Sequence, residues 1–366
     1  MSATRYVLYA IAQQKKNGIF AFVMKIVLAP DSFKECLSAA QVAQTLAQAV
    51  HAACPEAELV QLSLADGGEG TLEVLAKALG ATVYRADIQD PLGRPIQASF
   101  GVAGGTALIE VAQACGLQLL APQERNPLRA STYGLGELLL AACQKGCRQL
   151  LIGLGGTATC DGGAGMLSVP GVKEALQNVS IELLCDVDAP FTGSRGAARV
   201  FAPQKGASPE EVEILEQKMQ DLARSILSQT GVDVSDMPGA GAAGGLGGAF
   251  MAYSHAKMVP GIERILELAG FDQAVQDAHL IITGEGKSDR QTLMGKVPWG
   301  VLQHAQGVPV ALLSGRVENR DDLERAGFHP VLEVTPRSLP LPEALKPERA
   351  TALLWQAAQE LMHLLK

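Results

Sequence analysis

Short apolar runs alternate with amphipathic stretches along the chain from residue 24 onward. Residues 25–29 are predicted to form a buried strand that stops at Pro30, and Ser38 is placed to cap a helix over residues 39–52. The same patterns predict further strands over residues 59–64, 83–88, 96–102, 107–111, 149–152, 181–187, 279–283 and 308–313, and further helices over residues 72–79, 133–144, 209–229 and 347–366. Because strands alternate with helices, the sequence predicts an α/β fold.

The chain is long enough for two domains, and its character changes along its length. Residues 90–270 hold more hairpin-like turns and more glycine than the two ends. We therefore predict a discontinuous domain over residues 24–88 plus 272–366, with a parallel sheet of the flavodoxin or Rossmann type. A smaller inserted α/β domain is predicted over residues 89–271.

The first 23 residues differ from the rest, because they carry Arg5, Lys15 and Lys16 and no acidic residue. Their two apolar patches are separated by polar residues, so no apolar run reaches the roughly 18 residues of a membrane span. A signal peptide would have one apolar run followed by a small-residue cleavage site, which is also missing. We expect residues 1–23 to be an extension outside the fold, and we expect no membrane partner.

Charge and cysteine content restrict the function further. The net charge of −8 argues against nucleic acid as a main partner, because nucleic-acid-binding proteins usually have a basic surface. The seven cysteines are odd in number and irregularly spaced, which is not typical of a disulfide framework. Reduced thiols are usual in the cytoplasm, so we predict a cytoplasmic protein.

Several predicted strands end in short loops that combine glycine with an acidic residue. In open α/β sheets, ligands bind outside the carboxyl ends of the strands, so these loops are candidates for one binding site. They are Pro30-Asp-Ser-Phe-Lys34, Asp66-Gly-Gly-Glu-Gly70, residues 153–165, Cys185-Asp-Val-Asp188 and Thr283-Gly-Glu-Gly-Lys287.

Residues 153–165 form the loop richest in glycine. Its start, Gly153-Leu-Gly-Gly-Thr-Ala158, fits the dinucleotide pattern G-x-G-x-x-G/A. The same pattern recurs at residues 239–244 without a clear strand before it, and Gly162 and Gly163 lie where a Rossmann helix should continue. Two glycine turns around an acid favour a loop whose backbone N–H groups bind phosphate. A tight connection without a ligand is the alternative.

Two further signals concern charge. Asp186 and Asp188 lie two apart on a predicted strand, so their side chains would face the same way, about 6–7 Å apart. Because Mg²⁺ commonly takes one or two carboxylates plus phosphates, this pair is a candidate metal site, with a solvated strand end as the alternative. The basic residues near the loops, which together suit a carboxylate and a triphosphate, are Lys34, Arg125, Lys205, Lys287, Arg290 and Lys296.

Ten segments, in order, resemble the bacterial glycerate kinase family, of the type that is mostly glycerate 2-kinase. They are residues 25–34, 66–71, 109–114, 124–127, 152–167, 185–188, 203–206, 239–248, 283–286 and 291–296. The resemblance extends over nearly the whole chain from Met24. It implies two α/β domains with the active site in the cleft between them, ATP and Mg²⁺ as co-substrate and metal, and 2-phosphoglycerate as the product.

Combined with the loops above, this resemblance suggests roles for individual residues. Asp161, or else Asp289, would orient the attacking hydroxyl and accept its proton, while Lys34 would assist catalysis. Mg²⁺ would be held by Asp186 or Asp188. Substrate binding is assigned to Asp31, Ser32, Lys34, Asp66, Arg125, Lys205 and Lys296, with glycerate's carboxylate at Lys34 or Arg125. Nucleotide binding is assigned to Gly153, Gly155, Gly156, Thr157, Gly162, Gly163, Gly284 and Gly286.

The chain also departs from the family pattern at four places. Cys160 replaces an Asn, and Thr157 replaces a Ser with the hydroxyl retained. Residues 168–180 are short where the family has a further strand and loop, so a piece of the inserted domain is expected to be absent. Lys287 replaces an Arg, and Leu313-Ser-Gly-Arg316 stands for the family's Ala-Gly-Ser.

Two other functions stay open from the sequence. One is a nicotinamide-dependent oxidoreductase that acts on a small hydroxy acid. The other is a homologue that binds glycerate or ATP and has lost catalysis. The resemblance also leaves a homodimer open.

Overall fold

The computed structural model describes residues 23–365, which form two compact units. The first unit is discontinuous and consists of residues 23–65 and 265–365, and the second consists of residues 66–264. The extension expected over residues 1–23 lies outside the described residues, apart from Val23.

The predicted strands and helices are confirmed, with ends that shift by a few residues. The strands are β1 (Lys25–Leu28), β2 (Glu58–Gln61), β3 (Thr82–Gln89), β4 (Pro95–Ala103), β5 (Thr106–Glu110), β6 (Gln149–Gly153), β7 (Ser180–Leu184), β8 (Lys257–Val259), β9 (Leu280–Thr283), β10 (Lys287–Ser288), β11 (Val310–Ser314), β12 (Arg316–Val317) and β13 (Phe328–Glu333).

The helices follow the same order along the chain. They are α1 (Ala39–Ala53), α2 (Thr71–Leu79), α3 (Ala112–Cys115), α4 (Tyr133–Gln144), α5 (Ala164–Ser168), α6 (Val172–Gln177), α7 (Ala197–Phe201), α8 (Pro209–Thr230), α9 (Ala242–Ser254), α10 (Gly261–Leu268), α11 (Phe271–Ala274), α12 (Val297–Gln303), α13 (Arg320–Ala326), α14 (Leu341–Ala344) and α15 (Pro347–Leu364). Within residues 23–365, no helix is long and apolar enough to cross a membrane.

The first unit is built on a five-stranded parallel sheet in the order β13-β11-β9-β1-β2. Helices α1 and α15 pack against each other, and their apolar faces join the strands in one core that includes Leu46, Val50, Leu354 and Leu361. Ser38 caps α1 through a reciprocal pair of hydrogen bonds with Gln41, which stabilises such a helix by about 1 kcal/mol.

The direction in which strands are added to this sheet reverses at β1. The chain runs from β1 to β2 on one side, and after the second unit it returns to β9, β11 and β13 on the other side. Such a reversal opens a crevice outside the carboxyl ends of the two strands that flank it. Here those strands are β1 and β9, so the loops that follow them are placed to form a binding site.

The second unit contains a six-stranded mixed sheet in the order β3-β4-β5-β6-β7-β8. Strands β3, β4 and β5 are antiparallel neighbours, whereas β5 to β8 are parallel. Helices α4 and α9 contribute to the core that covers this sheet, which includes Phe100, Ile109, Leu138, Ile152 and Phe250.

The units divide the chain differently from the predicted boundaries. The predictions placed residues 83–88 in the first unit, but β3 pairs along its whole length with β4 and therefore belongs to the second. Helix α2 also packs on β4 and β5. The second unit, residues 66–264, is consequently the longer of the two, whereas the sequence predicts a smaller inserted domain.

Candidate functional site

A cavity of about 310 Å³ lies in the first unit, at the crevice where the strand order reverses. Its lining combines the loops after β1, β9, β11 and β13 with the chain around α14. The lining residues are Asp31, Ser32, Phe33, Lys34, Cys36, Glu285, Gly286, Lys287, Lys296, Gly315, Arg316, Val334, Thr335, Leu341, Ala344, Leu345 and Ala350. Five of the residues predicted to bind substrate or nucleotide therefore lie together, namely Asp31, Ser32, Lys34, Gly286 and Lys296.

Backbone contacts hold these loops at fixed distances. The N–H of Asp31 donates to the carbonyl of Gly284 at 2.9 Å, which ties the loop after β1 to the loop after β9. A Cβ at Gly284 would lie 1.8 Å from the carbonyl oxygen of Leu313, so only glycine fits there. The short strands β10 and β12 pair in parallel, and this pairing ties the loop after β9 to the loop after β11.

Glu285 forms the centre of a buried polar network beside the cavity. The side chain is 5% exposed and accepts hydrogen bonds from the hydroxyls of Thr292 at 2.6 Å and Ser288 at 3.0 Å. Its other oxygen lies 3.3 Å from the ammonium of Lys296. Burial raises the pKa of Glu285, although the nearby Lys296 opposes this. The network fixes the position of Lys296, which keeps 31% of its side chain exposed.

Asp289 and Lys287 lie in the same loop. Asp289 caps the 3₁₀ turn Arg290–Leu293 by accepting the N–H of Gln291 at 2.8 Å. Its other oxygen lies 3.5 Å from the ammonium of Lys287, which also pairs with Glu318 at 3.1 Å. Lys287 thus lies between two carboxylates.

Residues 153–165 of the second unit are packed against other backbone. A Cβ at Gly155 would lie 2.3 Å from the Cα of Gly68, and one at Gly153 would lie 2.6 Å from the carbonyl oxygen of Gly67. Gly162 and Gly163 have positive φ and face buried side chains, including Phe191 and Ala249 respectively. The glycines at these positions therefore allow close packing.

The backbone donors of this segment are mostly engaged as well. Intramolecular acceptors receive the N–H groups of Leu154, Gly155, Ala158, Gly162, Gly163, Ala164 and Gly165. A phosphate-binding loop needs several N–H groups directed at the ligand. The geometry thus favours the ligand-free connection that the sequence left as the alternative. The glycine pattern at residues 239–244 also allows close packing, because a Cβ at Gly244 would lie 2.1 Å from the carbonyl oxygen of Thr159.

Asp161 holds this segment to the start of α4. One carboxylate oxygen accepts the N–H and the hydroxyl of Thr132 at 2.8 and 2.9 Å and the N–H of Gly165 at 3.1 Å. The other oxygen accepts the N–H of Gly163 at 3.1 Å. Four hydrogen bonds of this kind indicate a structural role for the carboxylate.

Lys205 and Arg125 lie close to the same segment. Lys205 is 3% exposed, and its ammonium donates to the hydroxyl of Thr157 at 2.9 Å and the carbonyl of Thr159 at 2.7 Å. Burial lowers the pKa of Lys205. The carbonyl of Arg125 packs against Gly206, and the Nε of Arg125 is buried without a hydrogen-bond partner among the described residues.

The carboxylates proposed for a metal do not lie on a strand. Strand β7 ends at Leu184, so Asp186 and Asp188 occupy the following loop and the expected alternation does not apply to them. Burial and the neighbouring Asp66 raise the pKa of Asp186 to about 6, although the carboxyl accepts the N–H of Gly261. Within residues 23–365, no three His, Cys, Asp or Glu side chains are grouped to hold a metal.

Two further buried acids, Glu285 and Glu110, are not among the site residues predicted from the sequence. Glu110 is buried at the end of β5 and accepts the N–H groups of Gly70 and Leu72, both at 3.1 Å, at the start of α2. Glu285 was read only as part of a glycine turn. Both follow or end an apolar strand, and an acid at the carboxyl end of a buried strand was the signal that could have identified them.

Comparison with known proteins gives one consistent result. The model of the glycerate kinase family matches residues 26–175 and 168–366. A protein of Bacillus subtilis (strain 168) named glycerate kinase is 38% identical, with 92% of this chain and 97% of the relative aligned. A glycerate 2-kinase of Escherichia coli (strain K12) is 40% identical over 77% of this chain and 82% of the relative.

A solved structure agrees with these relatives. The crystal structure described as a glycerate kinase 2 from Salmonella typhimurium LT2 is 36% identical, covers 93% of this chain and 98% of its own, and superposes with a TM-score of 0.79. The Bacillus subtilis alignment spans 371 positions, more than the 366 residues of this chain, so the relative has residues that this chain lacks. The two family matches meet at residues 168–175, within the segment expected to be short.

Proposed function

The chain belongs to the glycerate kinase family, and we propose that it transfers the γ-phosphoryl group of ATP to glycerate to form 2-phosphoglycerate. Membership makes it a kinase, an ATP-dependent phosphotransferase that acts on an alcohol group. The observation that carries the proposal is the cavity at the strand-order reversal, where Asp31, Ser32, Lys34 and Lys296 lie together. Phosphoryl transfer depends mainly on positioning and on neutralising charge, which such a set provides.

Glycerate's carboxylate is proposed to bind Arg125. Its buried Nε has no hydrogen-bond partner among the residues that the structure describes, so an incoming carboxylate would satisfy it. A guanidinium and a carboxylate form the strong, charge-assisted hydrogen bonds that this role requires. Lys205 would act indirectly, because its ammonium is buried against Thr157 and Thr159.

Asp289 is proposed to orient the attacking hydroxyl and accept its proton. The first candidate from the sequence, Asp161, has both oxygens occupied by four hydrogen bonds. Asp289 uses one oxygen to cap a 3₁₀ turn, and its other oxygen lies near Lys287, which lines the cavity. Lys34, also in the cavity lining, would neutralise charge on the transferred group.

Magnesium is proposed to accompany ATP and to be held by Asp186 or Asp188. The donor set fits, because hard carboxylate oxygens suit Mg²⁺ and a cation would offset the repulsion between Asp186 and Asp66. A metal that takes only one or two protein carboxylates completes its coordination with phosphate and water. When bound, it would neutralise charge on the phosphates.

An ADP-release assay with D-glycerate tests this function, with ³¹P NMR to identify the product. We expect ADP formation that depends on glycerate and yields 2-phosphoglycerate. Formation of 3-phosphoglycerate would contradict the proposed regiochemistry. NADH consumption without ADP formation would instead support a hydroxy-acid oxidoreductase, and binding of ATP or glycerate without turnover would support a homologue that has lost catalysis.

Two properties accompany the proposed function. We propose a cytoplasmic location, which is supported by the fact that none of the seven cysteines is paired in a disulfide, because disulfides are rare in the cytoplasm. A homodimer stays a prediction, and light scattering of the purified full-length chain checks it.

A further inference from the structure

We infer that the cavity of the first unit binds the adenine nucleotide, with the base in its apolar half and the phosphates at its basic end. The inference rests on the proposed kinase function and adds to it the place where ATP binds. It also moves the nucleotide away from residues 153–165, where the sequence pattern had placed it.

The apolar half of the cavity suits a flat heterocyclic base. Phe33 and Val334 contribute buried side chains, and Leu345 and Ala344 line the same space from the α14 region. Leu341 lies at the cavity with 61% of its surface exposed. A ring stacked on Leu341 would remove this apolar surface from water.

The polar half suits phosphate. Lys34, Lys287 and Lys296 line it together with the hydroxyl-bearing Ser32. The Glu285 network fixes the ammonium of Lys296, whose side chain stays 31% exposed. Glu285 also accepts hydrogen bonds from the hydroxyls of Ser288 and Thr292, so its carboxylate is held in place and fixes the lysine at the edge of the cavity.

Size and position favour the nucleotide over glycerate for this cavity. A volume of about 310 Å³ falls in the range of roughly 300–1,000 Å³ that is usual for pockets holding drug-sized ligands, well above the needs of a three-carbon acid. Glycerate is polar at every carbon and would leave the apolar half unfilled. The strand-order reversal between β1 and β9 is also where doubly wound sheets bind mononucleotides.

Residues 153–165 have few backbone N–H groups available to bind the phosphates. Most of their N–H groups donate to acceptors of the second unit, and the glycines at 153, 155, 162 and 163 are covered by neighbouring atoms. A triphosphate there would have to break these hydrogen bonds first.

A cavity-filling variant tests the inference. Ala344→Phe places a ring where the base would lie, whereas Ala352→Phe puts the same ring on an exposed face of α15 away from the cavity. In titration calorimetry with ADP, we expect Ala344→Phe to weaken binding at least tenfold and Ala352→Phe to bind like the wild type. The KM for ATP should rise with the same variant while the KM for D-glycerate stays unchanged.

A second variant covers the case in which Ala344→Phe does not fold. Leu341→Ser changes a side chain that is already exposed, so the fold should be retained and ADP affinity should fall several-fold. Unchanged ADP affinity in both variants, or a rise in the KM for glycerate alone, would overturn the nucleotide assignment. If the wild type binds ADP in this cavity but does not phosphorylate glycerate, the proposed function fails and the nucleotide site stands.

Discussion

Both units place glycine beside an acidic residue at the ends of parallel strands, and the two places differ in what surrounds the glycine. In the first unit, the loops after β1 and β9 separate around a cavity, and the nearest atom to a Cβ at Gly286 would be 3.4 Å away. In the second unit, a Cβ at Gly155 would meet backbone at 2.3 Å. Gly286 thus borders a cavity, whereas Gly155, like Gly284 of the first unit, is required by close backbone packing.

The difference follows from topology. The first sheet reverses its strand order at β1, so two neighbouring loops diverge and leave space. In the second sheet, β5 to β8 follow one another in order, and the segment after β6 is covered by the glycine-rich start of α9. The acidic residues of the two units also have different partners. The carboxylate of Glu285 binds the ammonium of Lys296 at the cavity, whereas the carboxylate of Asp161 accepts backbone N–H groups of its own segment, such as that of Gly165.

The largest expected effect concerns the two candidate bases. Asp289→Asn should lower kcat by about 10²–10⁴-fold, as loss of a general base does. Stability should change little, since Asn also caps a helical turn. Steady-state kinetics and urea unfolding of the same preparation check both parts.

Asp161→Asn is the matched variant in the second unit. It weakens hydrogen bonds to a charged acceptor, which are worth about 1.5–3 kcal/mol each, so unfolding should occur at lower urea concentration. The folded enzyme should retain most of its kcat. If Asp161→Asn abolished turnover at full stability, while Asp289→Asn remained active, the assignment of the two roles would be reversed.

Alanine substitutions at glycine compare the two units directly. Gly155→Ala should lower the free energy of unfolding by about 3 kcal/mol, because the added methyl group meets the backbone of Gly68. Gly286→Ala should leave stability unchanged, since its Cβ would make ordinary contacts, and should weaken ADP binding. Thermal unfolding with and without ADP separates these outcomes; equal destabilisation by both changes would contradict the distinction.

Removal of the charge on Glu285 tests the polar end of the cavity. Glu285→Gln retains the shape but weakens the hold on Lys296, so the KM for ATP should rise about tenfold. The KM for D-glycerate should not change. An equal rise in both constants would indicate a general structural defect, and normal kinetics would show that the position of Lys296 does not depend on Glu285.

The smallest effect concerns the pH dependence of stability in the second unit. Burial lowers the folded-state pKa of Lys205 below the unfolded value near 10.5. Between these two values the unfolded chain binds more protons than the folded one, so stability should rise as pH increases through this window. Lys205→Met should remove this rise. Urea unfolding between pH 7 and pH 10.5 measures how the free energy of unfolding changes with pH. If this change were the same in the wild type and in Lys205→Met, the pKa of Lys205 would not be lowered by burial.

Much of the fold was predictable because local signals and burial agree. Ser38 caps α1 as the sequence predicts, and Ser208 caps α8 in the same way. The strands β8 and β13 were not predicted, since Lys257–Val259 is only three residues long and Phe328–Glu333 contains a proline and alternates incompletely. Their pairing depends on neighbouring strands that are distant in sequence.

The site was predictable in part for a related reason. Asp31, Ser32 and Lys34 were predicted because they lie in a loop at a strand end, and Lys296 because it is a basic residue close to such loops. The structure brings all four to one cavity. Whether a glycine loop is open or filled depends on what the rest of the chain packs against it. Atoms of residues 67–68, 191 and 244–249 cover the segment 153–165. Because these residues are distant in sequence, the pattern within the segment does not predict that it is covered.

Hydrogen–deuterium exchange with and without ADP tests most directly the claim that the nucleotide binds in the first unit. ADP should slow exchange in peptides covering residues 31–37, 284–297 and 334–345. Peptides covering residues 153–165 should exchange slowly in both conditions, because their N–H groups already donate within the second unit. Fast exchange in residues 153–165 without ADP, with protection there and not at the cavity when ADP is added, would contradict the account.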